Sequence, residues 1–208
     1  CATSTEARGD LLRLRLQAAT VAAAEELELA AAGVHPFSGW RQQERTRGER
    51  YDRMAEEYGR LARDEHNFGM HVHVGPPAGV DRMQVLNRVR RYIPHLLALS
   101  CSSPYFEGED SGYASYRMVL WRRWPGAGPP PRLADEQEYR RYVEMLLRAG
   151  VLQDERSIYW LVRLHPVYPT LEFRMCDVCP RAEDAVAIAG LMRTLVIVLS
   201  SLVAATAA

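Results

Sequence analysis

Polar and apolar positions alternate along "NFGMHVHVG", Asn67 to Gly75, so Met70, Val72 and Val74 face one way and His71 and His73 the other. "TLEFRMC" has the same period, with Leu171, Phe173 and Met175 set against Glu172, Arg174 and Cys176. A third strand is predicted in "SIYWLVRLHP", which is aromatic and β-branched. "GVHPF" predicts a short buried strand, confined to an edge or a strand end by Pro36. The period changes elsewhere. Residues 5–32 are rich in alanine, leucine and glutamate and predict a helix that stops at Gly33. "ERYDRMAEEYGRLARD" spaces Tyr51, Met54, Tyr58 and Leu61 as one face of an amphipathic helix. Residues 81–100 predict a long helix kinked at Pro94. A further helix is predicted from Asp135 to Ala149, stopping before Gly150, and a final one from Arg181 onward. The segments "SSPYFEGEDSGYASYR" and "WPGAGPPPRLAD" predict irregular structure.

These elements predict an α+β fold, a curved and largely antiparallel sheet with helices packed on one face. With no internal repeat and no linker, residues 1–208 are expected to form a single domain. The other face of the sheet would carry histidine, glutamate and arginine. Long charged side chains fixed on rigid strands suit a preorganised site better than an ordinary wet surface.

Charge and composition narrow the classes. The chain has 26 basic and 26 acidic residues, so no global basic field points to nucleic acid. The charges intermix, as in "RQQERTRGERYDR", which reads as a solvated helix face. Hydrophobic residues at 48% and charged residues at 25% argue for a packed domain and against disorder. Cys1, Cys101, Cys176 and Cys179 follow no secreted disulfide framework, and a lone "CDVC" lacks the second half of a zinc site. Reduced thiols in a cytoplasmic protein are the expectation. "LVIVLSSLVAATAA" is apolar but shorter than a membrane span, and is expected to be a core helix rather than a membrane segment.

Two groups of residues carry candidate chemistry. His71 and His73 on one strand face could hold a divalent metal or a phosphate, although an isolated pair reads first as surface histidines. Glu172 offers an oxygen to Mg²⁺, and Arg174 offers a fork to phosphoryl oxygens. A plain cross-strand ion pair would use the same two residues. The acidic and aromatic loop from Tyr105 to Arg117 could receive a substrate amine, with Arg117 on a carboxylate, or could be a solvated loop. No phosphate-binding glycine loop, GxSxG, HExxH or dinucleotide fingerprint is present.

"GMHVHVG", "PHLLALSCSSPYFEGEDSGYASYR" and "PTLEFRMCDVCP" together resemble the carboxylate–amine ligase family, the type 2 glutamate–cysteine ligases. "GMHVH" is also similar to a strand of glutamine synthetase, whose catalytic fold the resemblance implies. It further implies an ATP-dependent ligase that activates a carboxylate, typically that of glutamate, as an acyl phosphate. An amine such as that of cysteine then attacks to form an amide. The cofactor implied is Mg²⁺ with ATP. By the family pattern, His71 and Glu172 would be metal ligands, Arg174 would steady the phosphoryl group and His73 would reach ATP or a substrate. Arg117 and Arg163 would bind substrate. The family pattern also has a glutamate-rich strand ahead of these motifs and a further portion after the last helix. Neither lies within the 208 residues, so a catalytic domain incomplete at both ends is expected, with homo-oligomer formation left open. A non-catalytic binding module on the same sheet and a metal-dependent hydrolase are the competing readings.

Overall fold

The computed structural model describes residues 3–43 and 47–207, so Cys1 and the middle of the arginine-rich "RQQERTRGERYDR" segment lie outside the described residues. In chain order the elements are α1 (Ser4–Ala24), α2 (Glu49–Tyr58), α3 (Arg60–Arg63), β1 (Gly69–Val74), α4 (Arg82–Val89), α5 (Ile93–Ser100), β2 (Tyr105–Phe106), β3 (Glu109–Asp110), α6 (Tyr116–Trp121), α7 (Glu136–Arg148), β4 (Val162–Leu164), β5 (Leu171–Asp177) and α8 (Ala182–Ala207). Strands β1, β5 and β4 form an antiparallel sheet in the order β1-β5-β4, and β2 and β3 form a separate hairpin. Helices α4, α5 and α8 pack against the sheet. They bury Val85, Leu86, Val89, Leu96, Met192 and Val196 in one cluster with Leu171 and Phe173. The predicted α+β arrangement, helices on one face of an antiparallel sheet, is the observed one.

The central strand departs from strict alternation. Met70 of β1 stands opposite Cys176 and Val72 opposite Phe173, so His71 alone faces two residues, Arg174 and Met175. This is a β-bulge on β5. Residues opposite each other in a ladder share a face, so Cys176 joins the apolar side with Met70. The expected placement of Cys176 beside Glu172 and Arg174 is therefore corrected. The Cys176 thiol is buried and hydrogen-bonds Ser100 of α5, and burial pushes it up to about 11.

Several predicted boundaries also shift. Helix α1 ends at Ala24, eight residues before the expected Ala32. Glu26 takes a left-handed backbone (φ 57°), and the N–H groups of Glu26 and Leu27 donate to the carbonyls of Ala23 and Ala22. That is a Schellman stop built on a glutamate, where sequence rules look for glycine. Gly33 has a different job. A Cβ there would sit 2.9 Å from Asp177 Cγ, so the glycine admits a close approach. "GVHPF" makes only an isolated bridge, Val34 to Asn67, rather than a strand. The amphipathic helix after Glu49 breaks at Gly59 (φ 54°) into α2 and α3. The long helix over 81–100 divides at a 3₁₀ turn, Arg90–Tyr92, with Pro94 in the first turn of α5. Of "SIYWLVRLHP" only Val162–Leu164 is regular strand. The segment expected to be irregular before Arg117 holds the β2–β3 hairpin, turned by Glu107 (φ 52°) and Gly108 (φ 89°).

Helix α8 spans 26 residues, longer than its apolar tail suggested. Ala182–Thr206 is apolar and long enough to cross a membrane by length and composition. One side of it, from Ala185 through Ile188, Met192, Val196 and Leu199 to Val203, is buried in the core cluster, while Leu191, Ile197, Val198 and Leu202 are exposed, so the expected core helix is buried on one side. Arg15 of α1 donates to the carbonyls of Cys179 and Pro180, both at 2.7 Å, and so pins the turn that leads into α8.

The far end of β5 is anchored by Asp177, which is fully buried. It accepts hydrogen bonds from Ser102 N (3.0 Å), Ser103 Oγ (2.7 Å) and Ser115 Oγ (2.8 Å). Arg117 lies beside it. Its guanidinium lies against Gly69, where a Cβ would come within 2.2 Å of Nη2. Gly69→Ala must therefore displace a guanidinium that is hydrogen-bonded on the sheet. We expect it to cost about 1–3 kcal/mol, as overpacking does, read as a lower midpoint in urea. Gly9→Ala, on open helix surface, should stabilise by about 0.5–1 kcal/mol instead.

Candidate functional site

The polar face of the sheet gathers five of the six predicted residues, all but Arg117. His73 stands directly opposite Glu172 in the β1–β5 pairing, and Arg163 of β4 stands opposite Glu172 on its other side. His71 Nδ1 lies 3.3 Å from Glu172 Oε1. Arg174 Nη1 donates to the same oxygen at 2.9 Å, and Arg163 Nε donates to Oε2 at 2.7 Å. His71, His73, Glu172 and Arg174 thus project from one face, as their period predicts. The register through Val72 and Phe173 carries on to place Arg174 beside His71, and the bulge takes effect beyond it, at Met175 and Cys176.

Glu172 is only 3% exposed, so its ion pairs are buried ones. Burial alone would raise its carboxyl. The hydrogen bonds from His71 and Arg163, with the charges of Arg174 and Arg163, outweigh that and hold it well below the usual carboxylate range. Burial and the neighbouring Arg163 charge push the Arg174 guanidinium down to about 10, with Glu172 opposing. It stays charged at neutral pH. Arg174 also lies over the Trp121 ring, 5.3 Å from its centroid. Burial lowers the His73 imidazole, against the pull of Glu172. His73 Nδ1 lies 3.2 Å from Thr170 Oγ1, and its ring meets His165 edge-on at 4.9 Å.

The two arginines expected to bind substrate are placed differently. Arg163 lines the site but is 5% exposed, and its Nη1 donates to the carbonyls of Glu155, Arg156 and Ile158. It ties Glu172 to the turn ahead of β4. Arg117 does not line the site. It is 1% exposed, and its fork donates to the carbonyls of Met175 (3.1 Å) and Arg174 (3.2 Å). Burial pushes its guanidinium down, opposed by the charge of Asp177. Its position is that of a clamp inside the fold, a correction to its expected substrate role.

A pocket of about 540 Å³ opens over Glu172, lined by Arg50, His71, Arg156, Arg163, His165, Tyr168, Glu172 and Arg174 among others. Four guanidiniums face one carboxylate, so the lining is net positive and favours an anion. A larger groove of about 980 Å³ runs along the outer edge of β1 between α1 and α8, but its walls are mainly apolar and the charges do not converge there. Arg50, Arg156, His165 and Tyr168 were missed in the sequence. Arg50 and Arg156 sit in polar stretches that no motif marks. The signal for His165 was a repeat of "HP" before an apolar residue, at His35 and His165.

The donor set can be tested against a divalent cation. Ligand atoms of His73, His165 and Glu172 all lie within 4.8 Å of one another. A carboxylate offers about four lone-pair positions, and Glu172 already spends three on His71, Arg163 and Arg174. One carboxylate and an imidazole cannot complete an octahedral oxygen shell for Mg²⁺. An imidazole can still fit as part of one, because substrate phosphates and water commonly supply most of the ligands of Mg²⁺. His71 is suitably oriented, since a ligating histidine usually gives its other ring N–H to a carboxylate. Its Nδ1 faces Glu172, which leaves Nε2 as the free ligand atom.

Comparison with known proteins bears on what this face does. A family model described as glutamate–cysteine ligase family 2 matches residues 1–206. A relative from Roseiflexus castenholzii, carrying the provisional name glutamate–cysteine ligase 2, is 42% identical over 197 residues, which are 95% of this chain and 52% of the relative. One of the same provisional name from Chloroflexus aurantiacus is 41% identical over 197 residues, 95% of this chain and 50% of its own length. One from Pseudomonas aeruginosa, again so named, is 45% identical over 170 residues, 82% of this chain and 42% of its own. The chain spans about half the length of the curated relatives it matches.

Proposed function

The chain belongs to glutamate–cysteine ligase family 2, and on that premise we propose that it carries part of the active site of an ATP-dependent carboxylate–amine ligase. The reading includes a glutamine synthetase-like catalytic fold and a cytoplasmic setting. The observation that carries it is the constellation of His71, Glu172, Arg174 and Arg163 at the base of a cationic pocket. Such a ligase must gather phosphoryl oxygens, an acid and an amine in one place and exclude water. Phosphoryl transfer depends on charge neutralisation and alignment more than on covalent help.

In this reading a carboxylate oxygen of the acid, by preference the side chain of glutamate, attacks the γ-phosphorus of ATP and ADP leaves. The amine of the second substrate, cysteine by preference, then attacks the acyl carbon, phosphate leaves and the amine loses a proton. His71 would hold Mg²⁺ through Nε2, and Glu172, hydrogen-bonded to its Nδ1, would orient that ligand; the charge of the ion would offset that of the phosphoryl oxygens. Arg174 faces the transferring group, and Arg163 fixes the carboxylate of Glu172. His73, opposite Glu172 on the same face, would reach ATP or a substrate.

The test is ADP release by the complete polypeptide supplied with MgATP, glutamate and cysteine, together and singly. Sustained ADP and amide formation only with both amino acids is the expected outcome. Bound nucleotide without ADP release would favour a binding module. Hydrolysis of the dipeptide amide without nucleotide would favour a metal-dependent hydrolase. Either result overturns the ligase.

A further inference from the structure

Two turns in this chain are built alike. In each, a histidine precedes a proline, and its Nδ1 accepts the backbone N–H groups two and three residues on. His165 Nδ1 takes the N–H of Val167 (3.2 Å) and of Tyr168 (2.9 Å). His35 Nδ1 takes those of Phe37 (3.4 Å) and Ser38 (2.9 Å). The proline fixes its own φ and closes the turn, much as the oxygen of Asn or Asp does in an Asx-turn. A nitrogen that faces two N–H donors must present its lone pair. The proton of the neutral ring therefore resides on Nε2.

That assignment has opposite consequences for the two turns. Among the described residues, His35 does not line the cationic pocket, whereas His165 does, beside Arg156, Arg163 and Arg174. The His165 ring stacks on Tyr168 with centroids 4.9 Å apart and planes 15° apart, so its direction is fixed. A ring nitrogen of His165 lies within 4.8 Å of Glu172 and His73 ligand atoms, which at first suggests a metal site. The turn argues against it. With Nδ1 spent on two N–H groups, Nε2 could ligate a cation only if the ring became an imidazolate. His71 shows the reverse pattern, with Nδ1 toward a carboxylate and Nε2 free.

We propose that His165 is a fixed, uncharged hydrogen-bond donor for an oxyanion in this pocket, through Nε2–H, and is not a metal ligand. The ligand class is a phosphoryl-bearing anion, matched to the guanidiniums of Arg50, Arg156 and Arg174 around it. A donor of this kind binds without adding to the repulsion among four guanidiniums. It is also selective, because it gives a single directed hydrogen bond where an arginine gives a charged fork of several donors. The assignment deepens the ligase reading and rests on it only for the identity of the anion.

The experiment uses the complete polypeptide with ¹⁵N-labelled histidine, titrated separately with inorganic pyrophosphate and with Zn²⁺. Both His165 and His35 should show the Nε2–H tautomer. Pyrophosphate should shift the His165 Nε2 signal and leave His35, the internal control, unmoved. Two substitutions separate the turn from the donor. The Oδ1 atom of asparagine replaces the Nδ1 acceptor but supplies no Nε2–H, so His165→Asn should keep the fold and weaken pyrophosphate about tenfold. His165→Gln, which places an amide N–H near the Nε2 position, should recover part of that loss. Unchanged pyrophosphate affinity in His165→Asn would overturn the proposal. So would a His165 signal that responds to Zn²⁺ and not to pyrophosphate. A protein that binds pyrophosphate through His165 but releases no ADP with both amino acids would leave this assignment standing and defeat the ligase.

Discussion

Glu172→Gln should cut ADP release and also weaken the fold. The carboxylate is the single negative charge between Arg163 at 2.7 Å and Arg174 at 2.9 Å. Glutamine fills the same volume but leaves two buried guanidiniums facing each other. Removing one partner of a buried charged group costs about 3–5 kcal/mol, far more than the loss of an exposed pair. Turnover should fall by up to about 100-fold, because the same substitution removes the carboxylate that orients His71 as a metal ligand. The two losses separate by measurement. Urea unfolding reads the first, and ADP release at a temperature where the variant is still folded reads the second. A variant with an unchanged midpoint and full turnover would show that Glu172 neither balances the arginines nor takes part in the chemistry.

The same carboxylate sets an acid limit. Its folded-state value lies below the ordinary range, so its contribution is fully present above the unfolded value, about 4.3. That contribution is lost as the pH falls through the lower folded value. Wild-type stability should therefore decline below about pH 4. Glu172→Gln should flatten that part of the curve, read as melting temperature against pH.

How far the sequence revealed this site depends on which interactions are local. His71 and His73 share a face because they lie two residues apart on a strand, and that is readable by eye. Glu172 and Arg174 follow the same rule and meet His71 in regular register, but the bulge beyond Arg174, which turns Cys176 to the apolar side, is one that the spacing does not announce. Burial was the harder quantity. Alternation gives the direction of Glu172 and not its depth, and Arg163 reaches it from β4. Helix ends were misplaced where a non-glycine residue took a left-handed backbone, as Glu26 does. Arg117 was the least legible. A loop arginine next to tyrosines resembles a substrate anchor until three-dimensional packing shows it pressed on Gly69.

Arg117 gives the second large effect, on stability with little change in substrate affinity. Its guanidinium is wholly enclosed and satisfies the carbonyls of Met175 and Arg174 within β5. The charges of Asp177 and Glu65 balance it. Arg117→Met removes the cation and leaves those carbonyls without their donor, so a loss of about 3–5 kcal/mol is expected. Arg117→Lys keeps the charge but reduces a fork to a point, and should lose roughly half as much. In both variants KM for the acid substrate should stay within about twofold, since the side chain is outside the pocket. Coupling to Gly69 supplies a sharper check. In the wild type Gly69→Ala pushes against the guanidinium, whereas in Arg117→Met that obstacle is gone. The double variant should therefore cost less than the two single losses combined, by about 0.5–3 kcal/mol. Strict additivity in urea, or a tenfold rise in KM for Arg117→Lys with an unchanged midpoint, would return Arg117 to the substrate.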